Sequence, residues 1–340
     1  MTMRFKEDQK RAILFYILKK IEEKNDNISR AVAGTFSINQ NTVHTYINEL
    51  TDRGIIRRVK RGQYELIKEE HSFDLRREKG ELDSDIAVYD NCMFPYVKEL
   101  CGNLQEIWSY AFSEMINNAM EHSLSENVYV TVIRDYLNTT AEITDEGVGI
   151  FEKIKGHFRF SSLEEAICEL MKGKLTTDPD NHSGEGIFFS SKMMDSFYIF
   201  SDGKVFTNNK FDDGGVANLS CERKSGTKVV MSLSNFSEKT PQEIFDLYTN
   251  DDGGFTKTTI PLKNIFSASP VSRSQAKRVC NRLDKFREVV LDFEGLSWMG
   301  QGFAHQIFVV FERENPEIKL VPVHMEADVE KMYRHVMAER

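Results

Sequence analysis

The sequence contains no apolar run near the roughly 18 residues needed to cross a bilayer, so no membrane span is expected in its 340 residues. Its opening, MTMRFKEDQKR, lacks the apolar core of a secretory signal peptide. Cysteine is sparse. Cys92, Cys101, Cys168, Cys221 and Cys280 are widely spaced, odd in number and without a CxxC pair. That pattern argues against a disulfide framework or a thiolate zinc site and suits reduced thiols in a cytoplasmic protein. There is no internal repeat and no low-complexity tract. What is present is enough apolar material for real cores, 40% hydrophobic and 11% aromatic, over a length that suggests two or three domains. The net charge of −9 is uneven. Residues 1–70 hold 14 Lys or Arg against 10 Asp or Glu, whereas the rest hold 30 against 43. A basic first segment on an acidic body is the pattern of a nucleic-acid-binding module joined to something else.

In the first segment, the apolar positions predict a helix over 5–23 and a second near 27–36. In SINQNTVHTYINELTDRG, Val43, Tyr46, Ile47 and Leu50 recur at helical spacing and face a core. That leaves Gln40, Asn41, Thr42, His44, Thr45 and Asn48 facing outward, side chains suited to base edges in a major groove. Gly54 ends the helix, and a hairpin turning at Gly62 carries Arg57, Arg58, Lys60 and Arg61, suited to phosphates. Residues 1–68 thereby resemble the winged helix-turn-helix modules of bacterial DNA-binding proteins. The resemblance implies double-stranded DNA as partner and a homodimer. The charged stretch 69–84, KEEHSFDLRREKGELDS from Lys68 on, reads as a linker.

The central segment carries the chemistry. On a helix spanning 104–122, Trp108, Ala111, Phe112, Met115 and Ala119 form an apolar stripe. Glu114, Asn117, Asn118 and Glu121 gather opposite. Glu114 and Asn118 lie one turn apart and can address one ligand: the amide oxygen suits Mg²⁺, and the carboxylate can take a proton from water or a hydroxyl. Glu121 and His122 could equally cap or salt-bridge the helix, and His157 and His182 read as solvated loop residues. A hairpin of 128–133 and 140–145 ends in DEGVGI, where Gly147 and Gly149 after Asp145 would let the backbone approach a flat ligand. Gly184 and Gly186 in HSGEGIFFSS open a helix whose first N–H groups could face phosphates. The Met193–Met194 pair reads as core packing. Gly226-Thr227 begins an apolar strand.

In this order and spacing, the elements resemble the GHKL ATPase superfamily of gyrase, the large heat-shock chaperones, histidine kinases and MutL, over 85–236. The resemblance implies Asn118 as Mg²⁺ ligand, Asp145 on the adenine amino group, Gly147 and Gly149 around the base, and Gly184 and Gly186 near the phosphates. It implies Thr227 in a water-linked contact near adenine, 151–183 as an ATP lid, and ATP and Mg²⁺ as ligands. Glu114 stands where the hydrolysing members carry the residue that activates water. No phosphoacceptor histidine box precedes it. NNAMEHS is also similar to the anti-sigma serine kinases, in which that Glu activates a serine of a partner; water and serine both remain open.

Residues 237–256 read as a short helix and polar linker, and 257–340 as alternating strands and helices forming a small parallel or mixed sheet. VVLDFEGLSWMGQGFAHQIF resembles STAS domains, and more closely a STAS-like variant found beside GHKL domains. Where phosphorylated STAS domains carry an Asp-Ser pair, this turn reads Met299-Gly300-Gln301-Gly302, with Ser297 expected in or at the end of the strand. A docking or dimerisation role is therefore expected, with a protein partner. The whole is expected to be a multidomain α/β protein: winged helix, GHKL α/β sandwich, STAS-like domain. The function that follows is a cytoplasmic, ATP-binding and ATP-hydrolysing regulator of transcription or signalling that binds DNA. Its rivals are a serine/threonine protein kinase acting on a STAS-type partner, a non-catalytic ATP sensor, and a GHKL-type immunity or stress sensor.

Overall fold

The computed structural model describes residues 7–177, 184–207, 209, 225–266 and 268–338. His182, Cys221 and the end of the expected lid segment lie outside them. The chain divides into two compact units: 1–71 with 132–140 and 234–236, and the remainder.

In the first unit, α1 (Glu7–Glu22), α2 (Ile28–Phe36) and α3 (Gln40–Asp52) precede a hairpin of β1 (Ile56–Lys60) and β2 (Gln63–Leu66). The core joins Ile13, Ile17, Ile21, Val32, Val43, Ile47, Leu50 and Ile56, the positions at which helical spacing places apolar side chains. Asn39 caps α3, its side chain accepting from the Asn41 N–H at 2.8 Å. Gly54 and Gly62 adopt positive φ, 68° and 77°, where an L side chain would be strained. Leu137 joins this core, fully buried, from the segment 132–140. There Asp135 Oδ1 accepts the Leu137 and Asn138 N–H groups, each at 2.9 Å.

The second unit opens at Ser72, inside β3 (Glu69–Arg76), and continues with α4 (Asp85–Cys92), α5 (Phe94–Val97) and α6 (Gly102–Asn117). After α6 come a π-helical turn Asn118–His122, β4 (Asn127–Arg134), β5 (Asn138–Asp145), α7 (Ile150–Phe158), α8 (Leu163–Lys172), α9 (Gly186–Met193), β6 (Ser196–Ser201), β7 (Lys204–Thr207) and β8 (Thr227–Ser234). The strands form a six-stranded sheet ordered β3-β4-β5-β8-β6-β7. Burial alternates strictly along β5, β6 and β8, so one sheet face is a core face. Residues 69–76, expected as linker, are therefore the edge strand of this sheet. Their exposed, charged side chains are what an edge facing solvent tolerates. The helix expected over 104–122 holds α-geometry only to Asn117, then widens into the π turn, a device common at functional sites.

The C-terminal part runs α10 (Pro241–Tyr248), β9 (Lys257–Pro261), α11 (Leu262–Ile265), α12 (Arg273–Cys280), β10 (Glu288–Asp292) and α13 (Gln301–His305). It closes with a second π-helical turn Gln306–Phe311, α14 (Glu312–Glu314), β11 (Lys319–Val323) and α15 (Ala327–Ala338). Capping boxes at Thr240 and Ser272 start α10 and α12. The three strands form a parallel sheet ordered β11-β10-β9, with Val289 and Leu291 of the central strand buried. Ser297, expected in or at the end of a strand, is exposed in the loop after β10, which ends five residues earlier because Phe293 and Gly295 start a turn. Among the described residues, no helix is long and apolar enough to cross a membrane.

Candidate functional site

A cavity of about 270 Å³ opens between α6, the β5–α7 turn, α8, α9 and β8. Its wall is built first by α6. Trp108, Ala111, Phe112 and Met115 are buried on one side of that helix, which turns Glu114 to the cavity, and Asn118 follows at the start of the π turn. Opposite them, β5 ends in Asp145, only 5% exposed. Its Oδ1 accepts the Gly147 N–H at 3.0 Å and the Thr227 N–H at 3.2 Å. Two backbone donors hold this carboxylate in place.

The glycines of the β5–α7 turn have a different cause from the one the sequence suggests. A Cβ on Gly147 would lie 1.8 Å from the Ser123 carbonyl oxygen, and one on Gly149 would lie 1.9 Å from Asp202 Oδ1. The glycines admit protein atoms that brace the turn: the Val148 N–H donates to Ser123 O at 2.7 Å, and the Gly226 N–H to Gly147 O at 2.9 Å. Asp202 then caps α7, its Oδ2 accepting the Phe151 and Glu152 N–H groups at 3.1 Å each. The Ile150 N–H donates to Ser201 Oγ at 3.1 Å and to Thr227 Oγ1 at 3.3 Å.

Gly184 adopts a φ of 72° and its carbonyl accepts from the Leu175 N–H at 3.1 Å. A Cβ on Gly186 would lie 1.9 Å from Glu114 Oε2, so its absence is what lets the Glu114 carboxylate stand at the start of α9. Glu114 and Glu185, together with burial as the larger cause, raise the pKa of the Tyr110 phenol one turn earlier on α6. Across the cavity, burial lowers the pKa of Lys153, whose ammonium donates to His122 O at 2.8 Å.

Of the residues expected from sequence, Glu114, Asn118, Asp145, Gly184, Gly186 and Thr227 line this one cavity, and Gly147 and Gly149 lie in the turn that supports it. His122, Ser123, Lys153, Thr176 and Thr177 also line it, beyond the binding residues that the sequence marks; from sequence His122 reads as a cap or salt-bridge partner of the helix. Lys153 has one legible signal, a cation one turn into the helix that follows DEGVG. Asp202 has none, because its role depends on a pairing 51 residues away.

In the first unit, Gln40, Asn41, His44 and Thr45 are exposed along α3 and Thr42 is half-buried. Arg58, Lys60 and Arg61 are exposed on the hairpin, while Arg57 is paired with Glu65.

A family profile described as a STAS-like domain of unknown function (DUF4325) matches residues 275–330, which lie within the three-stranded parallel C-terminal part. No curated protein matches the chain. The chain is thus a multidomain α/β protein with a STAS-like C-terminal domain, a type of domain that suggests interaction with other proteins.

Proposed function

We propose that the chain is a GHKL-type ATPase whose N-terminal winged helix binds double-stranded DNA and whose conformation responds to Mg·ATP. The observation that carries the reading is that Glu114, Asn118, Asp145, Gly184, Gly186 and Thr227, far apart in sequence, surround one cavity. Their group types fit the ligand: a fixed buried carboxylate for an amino group and an amide oxygen for a hard cation.

Asp145, held by the Gly147 and Thr227 N–H groups, would accept from an exocyclic amino group of the base. Asn118 would hold Mg²⁺, which offsets phosphate charge when bound. Glu114 would orient a water and take its proton as the water oxygen joins the terminal phosphorus and the bond to the leaving diphosphate oxygen breaks. Lys153 supplies a cation across the cavity. On α3, Gln40, Asn41, Thr42, His44 and Thr45 would meet base edges, with Arg57, Arg58, Lys60 and Arg61 on phosphates. A cytoplasmic homodimer fits paired half-sites.

ADP release from the full chain with Mg·ATP tests this, run beside Glu114→Ala and Asn118→Ala. Turnover abolished in both variants supports the reading; turnover at the normal rate in Glu114→Ala overturns the assigned base. Labelled phosphate appearing on an added STAS-domain protein, with no free phosphate, would move the assignment to a protein kinase.

A further inference from the structure

Helix α8 lines the nucleotide cavity through Leu170, and the segment after it does so through Leu175, Thr176 and Thr177. After its first turn it is buried on every side: all seven residues from Ala166 to Lys172 are buried, Glu169 and Lys172 among them. Two helical turns without a solvated side are enclosed by structure all round. On the side away from the cavity, that structure is the STAS-like domain.

The contacts are polar, and those of Lys172 are complete. Lys172 Nζ has three protons and three acceptors: Glu169 Oε1 at 2.5 Å, Asn281 O at 2.6 Å and Arg278 O at 3.1 Å. The last two are carbonyls at the C-terminus of α12, the negative end of that helix, where a cation is favoured. Glu169 Oε2 lies 3.6 Å from Arg282 Nε, and the Arg282 guanidinium stacks 4.4 Å over Phe158 at the end of α7. Thr258 of β9, fully buried, donates to the Lys172 carbonyl at 2.8 Å. Beyond the helix, Lys174 Nζ donates to Lys285 O at 3.0 Å and Lys285 Nζ to Lys174 O at 3.1 Å. Gly173 has no room for a Cβ, which would meet the Phe255 ring at 2.7 Å. Burial pushes Glu169 upward while Lys172 and Arg282 pull it back toward the charged state.

We propose that the STAS-like domain regulates the nucleotide cavity by holding α8, with Lys172 as the positioning residue that ties this wall of the cavity to the end of α12. The proposal rests on the nucleotide reading above. A signal or protein that shifts α12 then changes how long the nucleotide is retained. Because coupling is reciprocal, bound nucleotide must in turn steady α12. The same elements are a cavity wall and a domain contact at once, so neither can move alone.

The test uses the full chain and the fluorescent N-methylanthraniloyl derivative of ATP with Mg²⁺. Two variants are compared with wild type: Glu169→Gln/Lys172→Met, which removes the pair together and leaves no lone buried charge, and Thr258→Val, which keeps the shape and deletes one donor. Release of the nucleotide is expected to be roughly tenfold faster in the first and a few-fold faster in the second, on the scale of lost buried hydrogen bonds. Hydrogen exchange adds the reciprocal readout: Mg·ATP is expected to slow exchange over 273–281 in wild type and not in the double variant. If the double variant does not fold, Thr258→Val and the wild-type exchange decide alone. Unchanged release in a folded variant, or no effect of nucleotide on 273–281 in a wild type that binds it, overturns the proposal. A wild type that binds no nucleotide overturns the reading of the cavity itself, a separate result.

Discussion

Two helices line the same cavity and are built on opposite plans. In α6, the apolar side chains fill one side and Glu114 lines the cavity beside the start of α9. In α8, Glu169 and Lys172 do not line the cavity and are satisfied inside the protein, Lys172 with all three protons used. Polar groups that face a cavity serve whatever enters it. Polar groups saturated by backbone carbonyls of another domain serve position. The two sets should therefore respond to mutation in opposite ways, one in chemistry and the other in stability.

The sharpest way to break that comparison is Glu114→Ala. Turnover is expected to fall by roughly 10²–10⁴-fold, the usual contribution of a general base, with the thermal midpoint unchanged or raised. A large loss of stability would mean that Glu114 is a structural cap of α9 instead. Next is Lys172→Met, which leaves Glu169 buried without its main partner. Thermal or urea unfolding should show a loss on the order of 3 kcal/mol, the scale for breaking a buried pair, and adding Glu169→Gln should restore part of it. Smaller again is Asp202→Ala. Removing the cap of α7 is expected to cost about 1–2 kcal/mol and to speed hydrogen exchange at Phe151 and Glu152, with little change elsewhere. The smallest effect is on thiol reactivity. Burial pushes Cys168 on α8 up to about 11, so at pH 8 it should resist alkylation while exposed Cys101 reacts. Mass spectrometry should find Cys168 labelled only once the chain is unfolded.

Much of this plan is legible in sequence, and unevenly so. The buried faces of α1, α3 and α6 follow from helical spacing, because one side of each meets a core and the other does not. The alternation of strands and helices after residue 256 is read the same way, and the STAS-like match falls inside it. The residues set around the cavity were found by type and order. Edge strand β3 was not found, since strand burial along Glu69–Arg76 is too slight to leave a period of two. Asp202 was missed because a cap supplied from 50 residues away has no local signature. Glu169 and Lys172 look like ordinary surface charges three positions apart, and only the tertiary structure shows them buried. Gly147 and Gly149 were noticed for a sound reason, scarce space, but the space is taken by Ser123 and Asp202.

Calorimetric titration of the full chain with ATP and Mg²⁺ tests most directly whether the cavity is a site for an adenine nucleotide. Wild type and Asp145→Asn are titrated in parallel, with GTP as the competing base. Wild type is expected to bind ATP in preference to GTP, with affinity at least tenfold weaker in Asp145→Asn, which turns an acceptor oxygen into a donor beside the base. Absence of binding by wild type, or equal binding by the variant, would contradict it.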